Sequence, residues 1–320
     1  MTSKHSKPLL TQGQRKAIIL SLAIAATIYL AVVISTGYTD TRAAFLKLGI
    51  SGWALLFSCS LFSFFLRFVR WQGYISEAGA VIPTGRHFLY YLTGFALTTT
   101  PGKAGETIRS LLLYPHGVAY PVSLASFFTE RFLDVIVVAI LASLTVFAFE
   151  EYLAFVLTVT AIILLLLPLI RSPVFLSILA SLQNRLHQRR IKNTLAHLAE
   201  LVRNAHLFLS WKRITSGLLL GLTAWSIQGL AFYFILSTLE LEIGLLAAVG
   251  IFSVSLLAGA VSFIPGGVGS TEVVMGLLLA ALGADTAVAV SAPLISRLST
   301  LWFAVMLGLL SAFWLGYHRD

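Results

Sequence analysis

Apolar runs as long as a bilayer is thick are what most restrict the folds open to this sequence. A helix of about 20 apolar residues crosses the hydrocarbon core. Runs of that length occupy Ala17–Thr36 and Ile50–Val69, and later ones cover about 122–148, 152–170, 214–237 and 286–316. Charged residues make up only 11% of the chain, against about 25% in soluble domains. The expected class is an all-α polytopic membrane protein forming a single membrane domain over 1–320, with no soluble enzyme domain. The first run follows a basic flank from Lys4 to Lys16. It exceeds a signal-peptide core in length and ends without a small-x-small cleavage site, so a retained helix is expected.

Loop charge sets an orientation. Stretches 1–16, 67–87 (Arg67, Arg70, Arg86, His87), 171–213 and the terminal His318-Arg319 are basic, and this places them in the cytoplasm together with both termini. Glu150-Glu151, Glu240, Glu242 and Asp285 mark the outer turns. The net charge of +9 is accounted for by these basic loops, so no nucleic-acid partner is implied. Within 171–213, Ile191, Leu195, Leu198, Val202, Ala205 and Leu209 form one apolar helix face among arginines and lysines. Two readings of it are compatible: a helix on the anionic leaflet, or a connector packed on the bundle.

Two apolar segments are broken. Residues 88–115 contain Pro101-Gly102-Lys103-Ala104-Gly105-Glu106, and residues 244–283 contain Pro265-Gly266-Gly267-Val268-Gly269-Ser270-Thr271-Glu272. The arms of the first, about 10 to 14 residues, are too short to cross ~30 Å of hydrocarbon. Each segment is therefore expected to form a re-entrant helical hairpin, the first entering from the cytoplasm and the second from outside. Aligning Glu106 with Glu272 also aligns Leu111–Leu113 with Leu277–Leu279, Gly117 with Gly283 and Arg131 with Arg297. Three crossings between the copies would invert the second. The predicted architecture is about six transmembrane helices plus two re-entrant hairpins in an inverted repeat, with repeat 1 at about 86–148 and repeat 2 at about 244–316. In transporters built this way the binding site lies where the repeats meet.

The candidate site residues follow from the cost of polar groups at membrane depth. Broken backbone is tolerated there only inside protein or beside water. The hairpin tips at Pro101, Gly102, Gly105, Pro265, Gly266, Gly267 and Gly269 are thus either buried structural kinks or the lining of a substrate cavity. Arg131 and Arg297 lie well inside apolar helices, where an arginine costs at least ~2.5–3.5 kcal/mol on insertion scales. Asp134, one turn from Arg131, offers an internal ion pair; Glu130 is expected on another face. Arg297 has no acid near it in its own helix and needs Glu272, another acid or an anionic ligand. Glu106 and Glu272 either cap the helices after the breaks or act as counter-ions or proton carriers. Lys103 and Arg109 add positive charge at the cytoplasmic mouth. The seven histidines are scattered in polar stretches, and Cys59 is the only cysteine. No metal site, cofactor or recognisable catalytic motif is therefore expected.

The Pro-Gly-x-x-Gly-Glu-x-x-Arg pattern at 101–109, the Glu-Arg-x-x-Asp at 130–134, and the Pro-Gly-Gly-x-Gly at 265–269 followed by Arg297 resemble the flippase-like family of lysylphosphatidylglycerol synthase transmembrane domains, from about residue 15 to 316. In bifunctional relatives, the resemblance implies, such a domain moves an aminoacylated phospholipid between leaflets and a separate soluble domain makes it. No synthase domain is expected here, nor is enzymatic activity. The leading expectation is a flippase or flippase-like transporter of the inner membrane, acting on a lipid with a phosphate head group. The alternative is a lipid-binding accessory protein that recruits an enzyme of envelope lipid or glycan assembly; an intramembrane lipid-modifying enzyme ranks third. A homo-oligomer is compatible with each.

Overall fold

The computed structural model describes Thr27, residues 38–185 and residues 189–318. Most of the expected first helix, Ala17–Thr36, and the basic stretch before it lie outside the described residues, as does Arg319. The described residues are helical, without strands. In chain order the helices are α1 (Tyr38–Lys47), α2 (Gly49–Glu77), α3 (Thr84–Phe95), α4 (Arg109–Leu113), α5 (Tyr120–Ala142), α6 (Leu153–Arg171), α7 (Pro173–Arg185), α8 (Arg189–Ala205), α9 (Trp211–Thr238), α10 (Leu245–Val261), α11 (Ser270–Ala281), α12 (Thr286–Arg297) and α13 (Phe303–Tyr317).

Among the described residues, four helical stretches are long and apolar enough to cross a membrane: α2, α6, α9 and the continuous rod Thr286–Tyr317 formed by α12, a π-helical turn at Leu298–Trp302, and α13. With 29 and 28 residues, α2 and α9 are each over about 40 Å long at 1.5 Å per residue. α5 has 23 residues, also a spanning length, but carries Glu130, Arg131 and Asp134 at its centre. The apolar α6 has no buried residue and exposes Leu153, Phe155, Leu157, Ile162 and Leu165. Only lipid gives such a surface a favourable environment, so the chain is a multi-pass membrane protein.

Both broken segments are interrupted by a tight turn. The first runs from α3 through a 3-10 turn, Pro101–Ile108, into α4; the second from α10 through a turn at Pro265–Gly267 into α11. Each leading arm lies against the far end of the other half: α3 packs on α13, and α10 on α5 and the turn after it. Glycines permit both crossings. A Cβ at Gly308 of α13 would fall 2.2 Å from the Ala96 backbone nitrogen, and one at Gly250 of α10 2.3 Å from that of Thr145. We predict that Gly308→Ala destabilises the protein by about 1–3 kcal/mol, as overpacking does. Gly85→Ala is the control, since a Cβ there meets nothing within 4 Å. Thermal unfolding in detergent should separate the two variants clearly.

α2 and α9 pack lengthwise at the centre. One apolar cluster joins them to α10, α11 and α12 through Leu56, Phe232, Ile251, Met275 and Ile295. A second, aromatic cluster joins α2 to α3, α4 and α13 through Phe64, Phe68, Trp71, Tyr91 and Phe95. A third ties α2, α5 and α9 to the end of α8 through Tyr74, Leu133, Ala205, Phe208 and Ile214. The connector reading therefore holds for the end of the amphipathic segment. Val202, Ala205 and Leu209 are buried against the bundle, while Ile191 and Leu198 remain exposed. Two loop expectations need correction. Arg67 and Arg70 are not in a polar loop, because α2 continues through them to Glu77. His87 is not solvated but buried beside Trp71 and Phe68.

Candidate functional site

A buried ionic cluster fills the space between α2, α3, α5, α9 and the first hairpin. Asp134 is its hub. Its carboxylate lies 2.7 Å from Arg70 Nη2, 3.3 Å from Arg131 Nη2 and 3.5 Å from Arg67 Nη2, and it accepts the indole N–H of Trp225 at 3.2 Å. Glu130 accepts the Tyr91 hydroxyl at 2.8 Å and lies 3.2 Å from Arg109 Nη1 and 2.9 Å from Arg131 Nη2. Glu106 accepts from Arg109 Nη2 at 3.0 Å and from the Thr98 hydroxyl at 2.8 Å. Arg109 also stacks on the Tyr91 ring at 4.1 Å. Gly94 leaves room for it, since a Cβ there would stand 2.2 Å from Arg109 Nε.

The expectation for Glu130 is therefore wrong. The helical wheel separates its Cα–Cβ direction from that of Arg131, but the arginine is long enough to bend back to it. Arg109 is not a charge at the mouth either: it is 3% exposed and held by two carboxylates. Glu106 meets a hydroxyl and a guanidinium within a 3-10 turn and has a counter-ion's surroundings. The Lys103 side chain lies outside what the structure describes. The sequence places Arg67 and Arg70 in a basic loop rather than in the site, and does not single out Tyr91 or Trp225. The available signal was the apolar run continuing past the two arginines through Trp71, Tyr74 and Ile75.

In the second half the pairing is simpler. Arg297 Nε donates to Glu272 Oε1 at 3.0 Å, and its Nη2 donates to the Gly266 carbonyl at the hairpin tip. Glu272 Oε2 accepts the Gly269 N–H at 2.8 Å. Glu272 thus both caps α11 and pairs with Arg297. Gly266, Gly267 and Gly269 all have positive φ, 64°, 66° and 87°, which glycine adopts at little cost.

The two tips meet: a Cβ at Gly266 would lie 3.5 Å from the Thr99 Cα. Beside this contact opens a cavity of about 270 Å³, which draws on both halves. Thr100, Arg131 and Asp134 come from the first, Gly266, Thr271 and Arg297 from the second, with Trp225 between them. Its remaining wall, including Leu256, Leu257, Phe263 and Ile264, is apolar. Phe263 and Ile264 are exposed, and Phe263 holds a left-handed backbone with φ 54°, a strained state for a residue with a side chain. A smaller compartment of about 70 Å³ shares the wall of Trp225, Leu256, Arg297 and Leu301 and extends to Arg67, Thr98 and Glu106. Such a site can hold a small anionic group on two guanidinium ions, with an apolar remainder leaving through the lip. Among the described residues no group of acids, histidines and cysteine is placed to bind a metal.

The family described as lysylphosphatidylglycerol synthase TM region matches residues 18–308. The UPF0104 membrane protein PH1989 of Pyrococcus horikoshii is 28% identical over 271 residues, 75% of this chain and 80% of that protein. A UPF0104 membrane protein of Methanothermobacter thermautotrophicus is 22% identical over 266 residues, 75% and 78% of the two chains.

Proposed function

Since the chain belongs to the lysylphosphatidylglycerol synthase TM-region family, we propose that it is a flippase-like transporter that moves a polar-headed lipid, bearing a phosphate, between leaflets of the cytoplasmic (inner) membrane. One observation carries this reading: Arg131 and Arg297, the matched arginines of the two copies, line one cavity between the hairpin tips. In this reading the chain makes six crossings and two opposed re-entrant hairpins, with both termini in the cytoplasm. The reciprocal packing of α3 on α13 and α10 on α5 is what two repeats related by a two-fold axis would give. The phosphate binds between the guanidinium groups while the acyl chains leave past Phe263 and Ile264 into lipid. Rocking one half against the other exposes the head group to each side in turn. The protein transports without chemical conversion of the lipid.

The expected result in liposomes is reagent-accessible transfer of a fluorescent phospholipid well above the protein-free rate. Ala260→Trp provides the control. Ala260 is exposed and lines the cavity, so a large side chain there plugs it without displacing core packing. Equal transfer by this variant, or no transfer of any lipid, would overturn the reading. The accessory alternative draws support from the exposed Ile191 and Leu198 on the basic helix α8. It requires an enzyme partner that co-purifies stoichiometrically and is lost when both residues are replaced by serine.

A further inference from the structure

The charges of the cluster do not cancel. Four guanidinium groups, Arg67, Arg70, Arg109 and Arg131, share three carboxylates, Glu106, Glu130 and Asp134, and Arg297 already has Glu272. Every acid in the set is within ion-pair distance of at least one arginine. A buried excess positive charge is costly in low dielectric unless an anion joins it.

The geometry identifies which cation carries the excess. Arg70 and Arg109 each donate hydrogen bonds to carboxylates, and Arg67 donates one to Asp134. Arg131 reaches Glu130 and Asp134 within ion-pair distance, yet its Nη2, as well as the Nε that all four leave unpaired, is buried and makes no hydrogen bond. Its side chain is also the most exposed of the four, at 16%, and that exposure is toward the cavity it lines. Across the cavity Arg297 spends Nε and Nη2 on Glu272 and Gly266. A guanidinium has five N–H groups, so hydrogen-bonding capacity remains on both arginines.

We infer that this site takes a monoanionic phosphate group whose attached head carries no positive charge, and rejects the same lipid once it is aminoacylated. The inference rests on the transport reading and narrows its substrate class. A phosphodiester supplies the single negative charge that the cluster lacks, with acceptor oxygens for Arg131 and Arg297. A lysyl head adds two ammonium groups to a chamber lined by two guanidinium ions. Its one lining carboxylate, Asp134, is already occupied by arginines and by Trp225. Like charges brought together without water cost several kcal/mol, so discrimination of roughly tenfold or more is expected on this ground.

Trp225 lines the cavity and provides a binding readout that does not require transport. The test is titration of the full-length protein in phosphatidylcholine nanodiscs, with indole fluorescence compared between wild type and Trp225→Phe. Phosphatidylglycerol should change the Trp225 signal saturably. Lysyl-phosphatidylglycerol should need roughly tenfold more lipid or fail to saturate, and added phosphatidylcholine should have no effect. Arg131→Gln, which brings the cluster to charge balance, should weaken phosphatidylglycerol binding and erase the preference, whereas Arg131→Lys should keep the preference. Equal binding of the anionic and lysyl lipids overturns the inference. Displacement of phosphatidylglycerol by millimolar inorganic phosphate also overturns it, by making the ligand a soluble anion. Selective binding without translocation leaves the charge selection standing and removes the transport reading. Translocation favouring the lysyl lipid does the reverse.

Discussion

Asp134→Asn should abolish stable folding, or lower stability by about 3–5 kcal/mol, the cost of removing one partner from a buried ion pair. Asparagine preserves the shape of the side chain and one acceptor, so lost packing cannot explain the effect. What disappears is the charge facing Arg67, Arg70 and Arg131. The new amide must also present N–H groups to guanidinium groups that have only N–H groups themselves. Four cations would then share two acids. Because whole domains are stable by only about 5–15 kcal/mol, the expected observation is aggregation on size-exclusion chromatography, or a much lower unfolding temperature in detergent. Pairing the change with Arg70→Met should recover part of the loss, because it withdraws the cation nearest to Asp134, at 2.7 Å. An unfolding temperature equal to that of the unaltered protein would show that the cluster is not held by its charges.

The same residue shows how far the sequence could be read. The depth of Arg131 and Arg297 is visible in the sequence because each interrupts an apolar run, and the insertion cost requires a partner. The Asp134 pairing at i+3 is equally local. The partners from α2 are not visible: Arg67 and Arg70 lie 67 and 64 residues from Asp134. Their charges also end the apolar window, which makes the C-terminal half of α2 resemble a loop. Only the tertiary fold shows that this half is inside. Glu130 illustrates a different limit. Helical geometry fixes where a Cβ points, but not where a long side chain ends.

The hairpins divide in the same way. Pro101-Gly102 and Pro265-Gly266-Gly267 announce breaks through backbone chemistry, so the turns are where they were expected. The exchange of leading arms between the halves has no local signal apart from Gly250 and Gly308, and their significance is plain only once each is seen against a neighbouring backbone. The amphipathic face of 191–209 is legible as a face. Which part of it docks depends on how far α5 and α9 extend beneath it, a matter of three-dimensional length rather than pattern.

Arg297→Ala should reduce lipid transfer by roughly 30-fold or more, the equivalent of losing a buried charged contact of about 2–5 kcal/mol. Interpreting it requires separating two effects, because Arg297 also bonds Glu272 and the Gly266 carbonyl. Its removal takes from Glu272, 12% exposed at the side chain, the guanidinium that lies 3.0 Å from it, and frees the tip of the second hairpin. A structural role predicts that Glu272→Ala combined with Arg297→Ala restores both stability and transfer, since a deleted pair leaves no orphan charge. A ligand role predicts that the double variant regains stability but not transfer. Arg297→Lys makes the same distinction from the other side. A lysine keeps the charge but has no planar fork with which to hold Glu272 and Gly266 together while meeting a phosphate, so transfer should fall between that of the native protein and that of the alanine variant. If the double variant transports at the native rate, Arg297 is a brace for the hairpin, and the phosphate must be held by Arg131 alone.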